Sequence, residues 1–283
     1  MIRSVADWRA AAEKVLPADA IPQHPELGVR YPWGQIVRHS LTSQHRRNID
    51  RAMDCLSRAV TMGVEWRLGW SAGKDSTALA CLLRSANWPI RAMSVKDDLD
   101  FPGEPEYLVA LGARCGITVD ILRPPVSLLG FLTESGIDMT EDLHSRRAEL
   151  SIQWFYGLLD RYREEQGYSG AVLGLRSNES AGRAVNRATH GTLYTRRDGL
   201  TVSTPLADWQ DIDVHAYLAS QDVPILPTYL CIDDGVEPLR LRKSWYVAGG
   251  AMARRGHYRW LRRWWPDLWR LAVGADPRIA CLS

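Results

Sequence analysis

The chain has 283 residues, 46% of them hydrophobic, and a formal net charge of +2, so it can bury a large core in one big or two modest domains, and its overall charge gives no reason to expect nucleic-acid binding. No run of about 18 uninterrupted apolar residues occurs, which excludes a hydropathy-defined membrane helix, and the charged start MIRSVADWRAAAEKV lacks the apolar core of a secretory signal; a cytoplasmic protein is expected. Five cysteines without a C-x-x-C and seven histidines without an H-x-x-x-H give no reason to expect a disulfide framework, a zinc site or an iron–sulfur cluster.

The chain opens with a helix over Val5–Val15 and a proline- and glycine-punctuated loop from Pro17 to Gly34. A stronger helix follows over Thr42–Thr61, capped by Ser43, with Ile49, Met53, Leu56 and Val60 on one face and Arg46, Arg47, Arg51 and Arg58 toward solvent. Trp66, Leu68 and Trp70 then alternate with Arg67 and Gly69, the period of two of a strand. Ser71-Ala72-Gly73-Lys74 reads as a turn, and Asp75-Ser76-Thr77 as the first turn of a helix running to Leu83. Small residues here let the backbone approach an anion, and free N–H groups with the helix dipole favour negative charge. Lys74 adds a point charge and Ser76 and Thr77 add hydroxyls, so this stretch is a phosphate cradle. It is not the Walker form, which needs glycine where Leu68 stands and Ser or Thr where Asp75 stands.

Further on, Ile90–Val95 and Ile117–Leu122 read as strands flanking a helix over Glu104–Cys115, with Lys96-Asp97-Asp98 at the end of the first. Strand and helix alternate at the spacing of a parallel sheet covered by helices, whose ligands bind at the carboxyl ends of the strands. A long helix over Ser145–Gln166, with Leu150, Trp154, Leu158 and Leu159 inward, leads to a strand at Ala171–Leu175. Arg176 and Arg183 follow that strand, and arginine forks suit oxyanions. Thr192–Thr195 and Leu200–Ser203 form a hairpin around Arg197-Asp198-Gly199. A last core helix starts at Asp211 or Asp213 and ends before Pro224. From Leu239 the tail is basic, with Arg259, Arg263 and Arg270 at helical spacing and tryptophans between them. Trp260, Trp264 and Leu268 would pack inward, and the arginines would face water or a nucleic-acid or protein partner.

Ser71-Ala72-Gly73-Lys74-Asp75-Ser76 resembles the PP-loop, S-G-G-x-D-S/T, of the adenine nucleotide α-hydrolase superfamily, with Ala72 in place of the first glycine. Gly174, Arg176, Glu179, Ser180 and Arg183 match the G-x-R-x-x-E-S-x-x-R of the PAPS reductase group and of the sulfate adenylyltransferase small subunit. Pro205, Leu206 and Trp209, then Asp213, Val214 and Tyr217, then Pro224, Pro227 and Tyr229 match three later motifs in the same order. The resemblance implies an α/β three-layer sandwich on a mostly parallel PP-loop sheet at 63–235, with a helical N-terminal extension at 1–62 and a basic, Trp-rich helical tail at 236–283.

It also implies chemistry. ATP, or PAPS in the same pocket, would be bound by Ser71, Ala72, Gly73, Lys74, Asp75, Ser76, Thr77 and Gly174, with Asp97 or Asp98 near the adenosine. Lys74, Asp75, Arg176 and Arg183 would act at the α-phosphate as pyrophosphate leaves, and Asp75 would help hold Mg²⁺. The acceptor is open, in sulfur metabolism or nucleic-acid modification. Two other readings stand beside it: a thiol-dependent PAPS reductase using Cys281, although the tail R-I-A-C-L-S lacks the E-C-G-[LI]-H of that group, and a non-catalytic nucleotide- or partner-binding protein.

Overall fold

The computed structural model describes residues 1–98, 100–127, 130, 133–134, 156–231, 237–241 and 258–282. They fall into two compact units that interleave along the chain, one comprising Met1–Ser94, Gly103–Ile121 and Gln166–Leu241, the other Val95–Pro102, Leu122–Glu165 and Arg242–Ser283.

The first unit opens with helices α1 (Val5–Ala12), α2 (Trp33–Ser40) and α3 (Ser43–Val60). The Thr42 hydroxyl, not that of Ser43, caps α3 by accepting from the His45 N–H at 3.1 Å. The inward face of α3 also departs from the apolar stripe. His45, Asn48, Ala52, Cys55, Leu56 and Ala59 are buried, whereas Val60 is exposed. Two polar residues turn inward because they have a buried partner on a remote helix, which hydrophobic periodicity does not register.

Six strands form one sheet: β1 (Trp66–Gly69), β2 (Arg91–Val95), β3 (Val119–Leu122), β4 (Gly170–Leu173), β5 (Leu193–Thr195) and β6 (Thr201–Ser203), in the order β3-β2-β1-β4-β6-β5. β1 is parallel to β2 and to β4, β4 is parallel to β6, and the hairpin pair β5–β6 is antiparallel. The architecture is therefore α/β with a mostly parallel sheet, as the alternation of elements implies. The strand alternation expected in β1 fails, because Arg67 is buried with Trp66 and Leu68. A central parallel strand is covered on both faces. There Arg67 donates from Nη1 to Glu65 at 2.6 Å and to the Trp66 carbonyl at 3.0 Å, with its guanidinium over the Tyr168 ring.

Helix α4 (Lys74–Ser85) follows β1 and is buried on nearly all sides from Ser76 to Leu83. Helix α5 (Glu104–Cys115) joins β2 to β3. Only α6 (Gly157–Gln166) is described of the long helix expected before β4; Tyr162 is its buried residue, Leu158 and Leu159 are half-buried, and 145–155 lie outside the described residues. Helices α7 (Ala181–His190) and α8 (Asp211–Ser220) follow β4 and β6.

In the second unit, α9 (Tyr258–Trp264) and α10 (Pro266–Ala275) lead to a 3-10 turn over Pro277–Leu282. Trp264 and Trp265 are buried, and the Trp265 ring packs at a tilt against Phe101 with ring centroids 5.0 Å apart. The inward stripe is Leu261, Trp264, Trp265 and Ala272, while Leu268 is only half-buried. Arg262 and Arg263 lie over the Trp269 and Trp264 rings, and Arg270 pairs with Asp267. The basic residues at 242–257 lie outside the described residues. Among the described residues no helix is long and apolar enough to cross a membrane.

Candidate active site

The strand order reverses beside β1, with β2 on one side and β4 on the other. Where strand order reverses, the loops leaving the carboxyl ends diverge and open a crevice. The loop Trp70–Gly73 leaves β1 there, and Gly174–Arg176 leaves β4. Trp70 ties the first loop down by donating from Nε1 to Thr77 Oγ1 at 3.1 Å. Thr77, expected as a nucleotide contact, is fully buried and its hydroxyl is engaged by this bond. Gly174 brings the second loop against the first. A Cβ there would lie 2.9 Å from the Asp75 carbonyl carbon and from the Ser76 nitrogen. Only glycine permits that approach, so the role of Gly174 is to bring β4 to the first turn of α4.

The backbone N–H groups of the turn are held by hydroxyl oxygens. Ser71 N–H donates to Ser76 Oγ at 3.3 Å, Gly73 N–H to Ser71 Oγ at 3.3 Å, and Lys74 N–H to Tyr229 Oη at 3.1 Å. Ala72 holds φ at 63°, in the left-handed region that glycine occupies freely. Replacing Ala72 by glycine is expected to stabilise the fold by about 0.5–1 kcal/mol, since left-handed backbone costs an L-residue roughly 1–2 kcal/mol while glycine's extra unfolded-state freedom offsets roughly 0.4–1 of it. A denaturant midpoint that stays put or falls in Ala72→Gly would contradict this.

Charge is concentrated on this turn. Arg176 donates from Nε to Asp75 Oδ1 at 2.6 Å, from Nη2 to Asp211 Oδ1 at 2.6 Å, and from Nη1 to Asn178 Oδ1 at 3.1 Å. Lys74 Nζ donates to Asp75 Oδ2 at 2.9 Å and lies 3.6 Å from Asp211 Oδ1. Both cations are buried to 1% exposure. Burial pushes the Lys74 ammonium below its ordinary value, and Arg176 adds to that against the pull of Asp75. Burial alone would raise the Asp75 carboxyl; the charges of Lys74 and Arg176 outweigh it and hold it below the usual carboxylate range. With each oxygen held by a cation, Asp75 is a counter-ion and does not fit the magnesium ligand that the resemblance implies. Arg183 joins indirectly through a pair with Glu179, which also accepts from the Arg176 backbone N–H at 3.2 Å. Beside them lies a cavity of about 220 Å³ lined by Arg176, Ser177, Arg183, Asn186, Arg187 and Tyr194, among others. The Ser177 hydroxyl is buried without a hydrogen-bond partner.

The turn therefore brings Ser71, Ala72, Gly73, Lys74, Asp75, Ser76, Gly174 and Arg176 together. Asp97 and Asp98 belong to the second unit, where Asp97 N–H donates to Asp100 Oδ2 at 2.9 Å. Cys281 is exposed in the same unit. Asp211, Tyr229 and His215 belong to the candidate site and were not expected there. His215 Nδ1 lies 2.5 Å from the Tyr31 hydroxyl and Nε2 lies 3.2 Å from the Leu239 carbonyl, so the Nε2 proton is donated and Nδ1 accepts. Burial, then the nearby Lys74 charge, lower its pKa to about 3. The P-x-x-P-x-Y turn was the available signal for Tyr229; for His215 there was none.

A strand–turn–helix with buried cations at the switch point of a parallel sheet defines an α/β protein of the PP-loop class. The phosphoadenosine phosphosulfate reductase domain family matches residues 66–231, and the chain belongs to that family. Among curated proteins it is similar to a tRNA-cytidine(32) 2-sulfurtransferase of Sinorhizobium medicae, 26% identical over 254 residues, covering 83% of this chain and 81% of that protein. The enzyme of the same name from Sinorhizobium fredii is 27% identical over 190 residues, covering 61% of this chain and 60% of that one. Among solved structures it aligns with a PAPS reductase from Candida auris, at 17% identity and TM-score 0.49, covering 62% of this chain and 81% of that one. It also aligns with an FMN adenylyltransferase from Candida glabrata, at 12% identity and TM-score 0.47, covering 82% of this chain and 83% of that one.

Proposed function

We propose that the protein binds ATP, or a close adenine nucleotide, on the Ser71–Ser76 turn and transfers the adenylyl group to an acceptor with release of pyrophosphate. The observation that carries this reading is the pair of fully buried cations, Lys74 and Arg176, held by carboxylates at the first turn of α4. Cations kept out of water act strongly on a phosphate. An acceptor oxygen forms its bond to the α-phosphorus while the bond from that phosphorus to the bridging oxygen breaks, and pyrophosphate leaves with the electron pair. Phosphate oxygens would replace the Ser71 and Tyr229 hydroxyl oxygens that now accept from the Gly73 and Lys74 N–H groups. Lys74 would then balance the charge of the leaving group, and the protein would act by positioning and charge alone. The cavity beside Arg176 and Arg183, with its unpartnered Ser177 hydroxyl, would take the acceptor. The tRNA-modifying relatives favour a nucleic-acid acceptor, with the basic tail on its phosphates.

Calorimetry with ATP tests the reading without knowledge of the acceptor. Wild type is expected to bind, and Lys74→Ala to bind at least about tenfold more weakly, since a charge-assisted phosphate contact contributes about 1.4 kcal/mol or more. Equal affinities, or no binding by wild type, would overturn it. Sulfite released from PAPS with reduced thioredoxin, and lost in Cys281→Ser, would replace it with the thiol reading.

A further inference from the structure

We propose that His39, His45 and Asp213 form a binding site for a divalent first-row transition cation, at the place where α2 and α3 meet α8. His39 stands in the last turn of α2, His45 in the first turn of α3, and Asp213 in the first turn of α8. Their side chains converge on one point. His39 Nε2 lies 2.7 Å and His45 Nδ1 3.2 Å from the same carboxylate oxygen, Asp213 Oδ1. All three donor atoms lie within 4.8 Å of one another. Two imidazoles and one carboxylate form a donor set suited to zinc and its first-row neighbours.

The surroundings are built as a ligand set requires. The second oxygen of Asp213 accepts from Asn48 Nδ2 at 2.9 Å and from the Gln210 N–H at 2.9 Å, which fixes the carboxylate plane. Asn48 is itself held, accepting on Oδ1 from Gln44 Nε2 at 2.9 Å. Such supporting hydrogen bonds orient metal ligands and tune their affinity. Asp213 and His45 are 1% and 2% exposed, whereas the His39 side chain is 19% exposed, so the site is closed on two sides and reached by solvent past His39. Burial would raise the Asp213 carboxyl, but its hydrogen bonds to His45, His39 and Gln210 hold it below the usual carboxylate range, so it presents an anion to the cation.

Without a cation, two imidazole N–H groups crowd one oxygen. On binding, each imidazole turns a lone pair to the cation and carries a proton only on its far nitrogen. His45 Nε2 is buried without a hydrogen-bond partner in the structure, so moving the proton there exchanges the Nδ1 contact with Asp213 for the bond to the cation and leaves the Nε2–H without a protein acceptor among the described residues. Sequence spacing did not point to this site, because its carboxylate lies 168 residues beyond the second histidine. The site is linked to the phosphate-binding turn through Asp211 and Arg176. Asp211 stands two residues before Asp213 in the same helical turn and accepts from Arg176. A cation clamping Asp213 to α2 and α3 would hold the start of α8, and with it Asp211, in place.

The test uses the full chain stripped with chelator and titrated with Co(II), read by its visible d–d absorption, and with Zn(II) by calorimetry. One equivalent is expected to bind. His39→Ala and His45→Gln are expected to weaken binding by roughly 100-fold, and Cys281→Ser to leave it unchanged, with circular dichroism confirming that each variant folds. Should the buried His45→Gln fail to fold, the part-exposed His39→Ala carries the test. No uptake by wild type at millimolar Co(II), an unchanged titration in His39→Ala, or loss of binding in Cys281→Ser would each overturn the site.

Discussion

Acidifying the protein from pH 6.5 to about pH 4.5 is expected to remove about 2 kcal/mol of folding stability through one side chain, His215, the slope approaching about 1.4 kcal/mol per pH unit below pH 6. Its imidazole is fully buried and neutral, with a folded pKa of about 3 against 6.5 for the free residue. The sign follows from proton uptake. Between those two values the unfolded chain binds a proton that the folded chain does not, so stability is complete above 6.5 and falls steadily as the pH drops toward 3. Asp75 and Asp213 act lower. Their folded pKa values are depressed below 3.8, so their contributions are intact above that value and are lost only as the pH falls further. The window from 6.5 to 3.8 therefore isolates His215 from these two carboxylates. Urea denaturation at stepped pH should give a steep acid limb in wild type and a flatter one in His215→Gln, which keeps a hydrogen-bonding side chain facing Tyr31 and the Leu239 carbonyl. Parallel limbs in the two proteins would show that His215 titrates elsewhere.

The second large effect is expected from Arg176→Met, which should destabilise the fold by about 3–5 kcal/mol. The guanidinium is the shared partner of Asp75, Asp211 and Asn178. Its removal leaves two carboxylates facing Lys74 alone, in a site from which water is largely excluded. Methionine fills much of the volume, so the loss reports charge and hydrogen bonding more than packing. A second substitution separates the causes. Arg176→Met with Asp211→Asn removes the stranded carboxylate and should recover at least about 1 kcal/mol relative to the sum of the single variants. Strict additivity would mean that Arg176 and Asp211 are not coupled and that the loss comes from elsewhere. Arg176→Lys is expected to rescue poorly, because one ammonium cannot reproduce three divergent N–H donors.

Much of this site was legible before any geometry. The turn after β1 announced itself because small residues, a lysine and hydroxyls must be contiguous to surround an anion, and contiguity survives in a linear string. The same holds for Arg176, which follows β4 directly, and for Gly174, although the reason for that glycine was hidden. It meets the backbone of Asp75 and Ser76, about one hundred residues away in sequence, and serves packing more than ligand contact. Ala72 departed from the PP-loop pattern, and only its φ of 63° shows what the departure entails.

Polar residues that satisfy one another across the fold were not legible. The inward face of α3 was misplaced because hydrophobic periodicity treats His45 and Asn48 as solvent-facing, whereas Asp213 provides both with a buried partner. Arg67 was misplaced for the related reason that a strand with neighbours on both sides and helices on both faces has no solvent side. The sequence by itself determined the α/β class, the parallel sheet, the turn that carries Lys74 and the family, because each rests on neighbours in the chain or on motifs in order. Only the tertiary structure decided that Asp211, Tyr229 and His215 belong with that turn, that Asp75 faces two cations, and that His39, His45 and Asp213 meet. Those arrangements are made by hydrogen bonds and charge between residues far apart in the chain, where burial strengthens each contact and no local pattern records it.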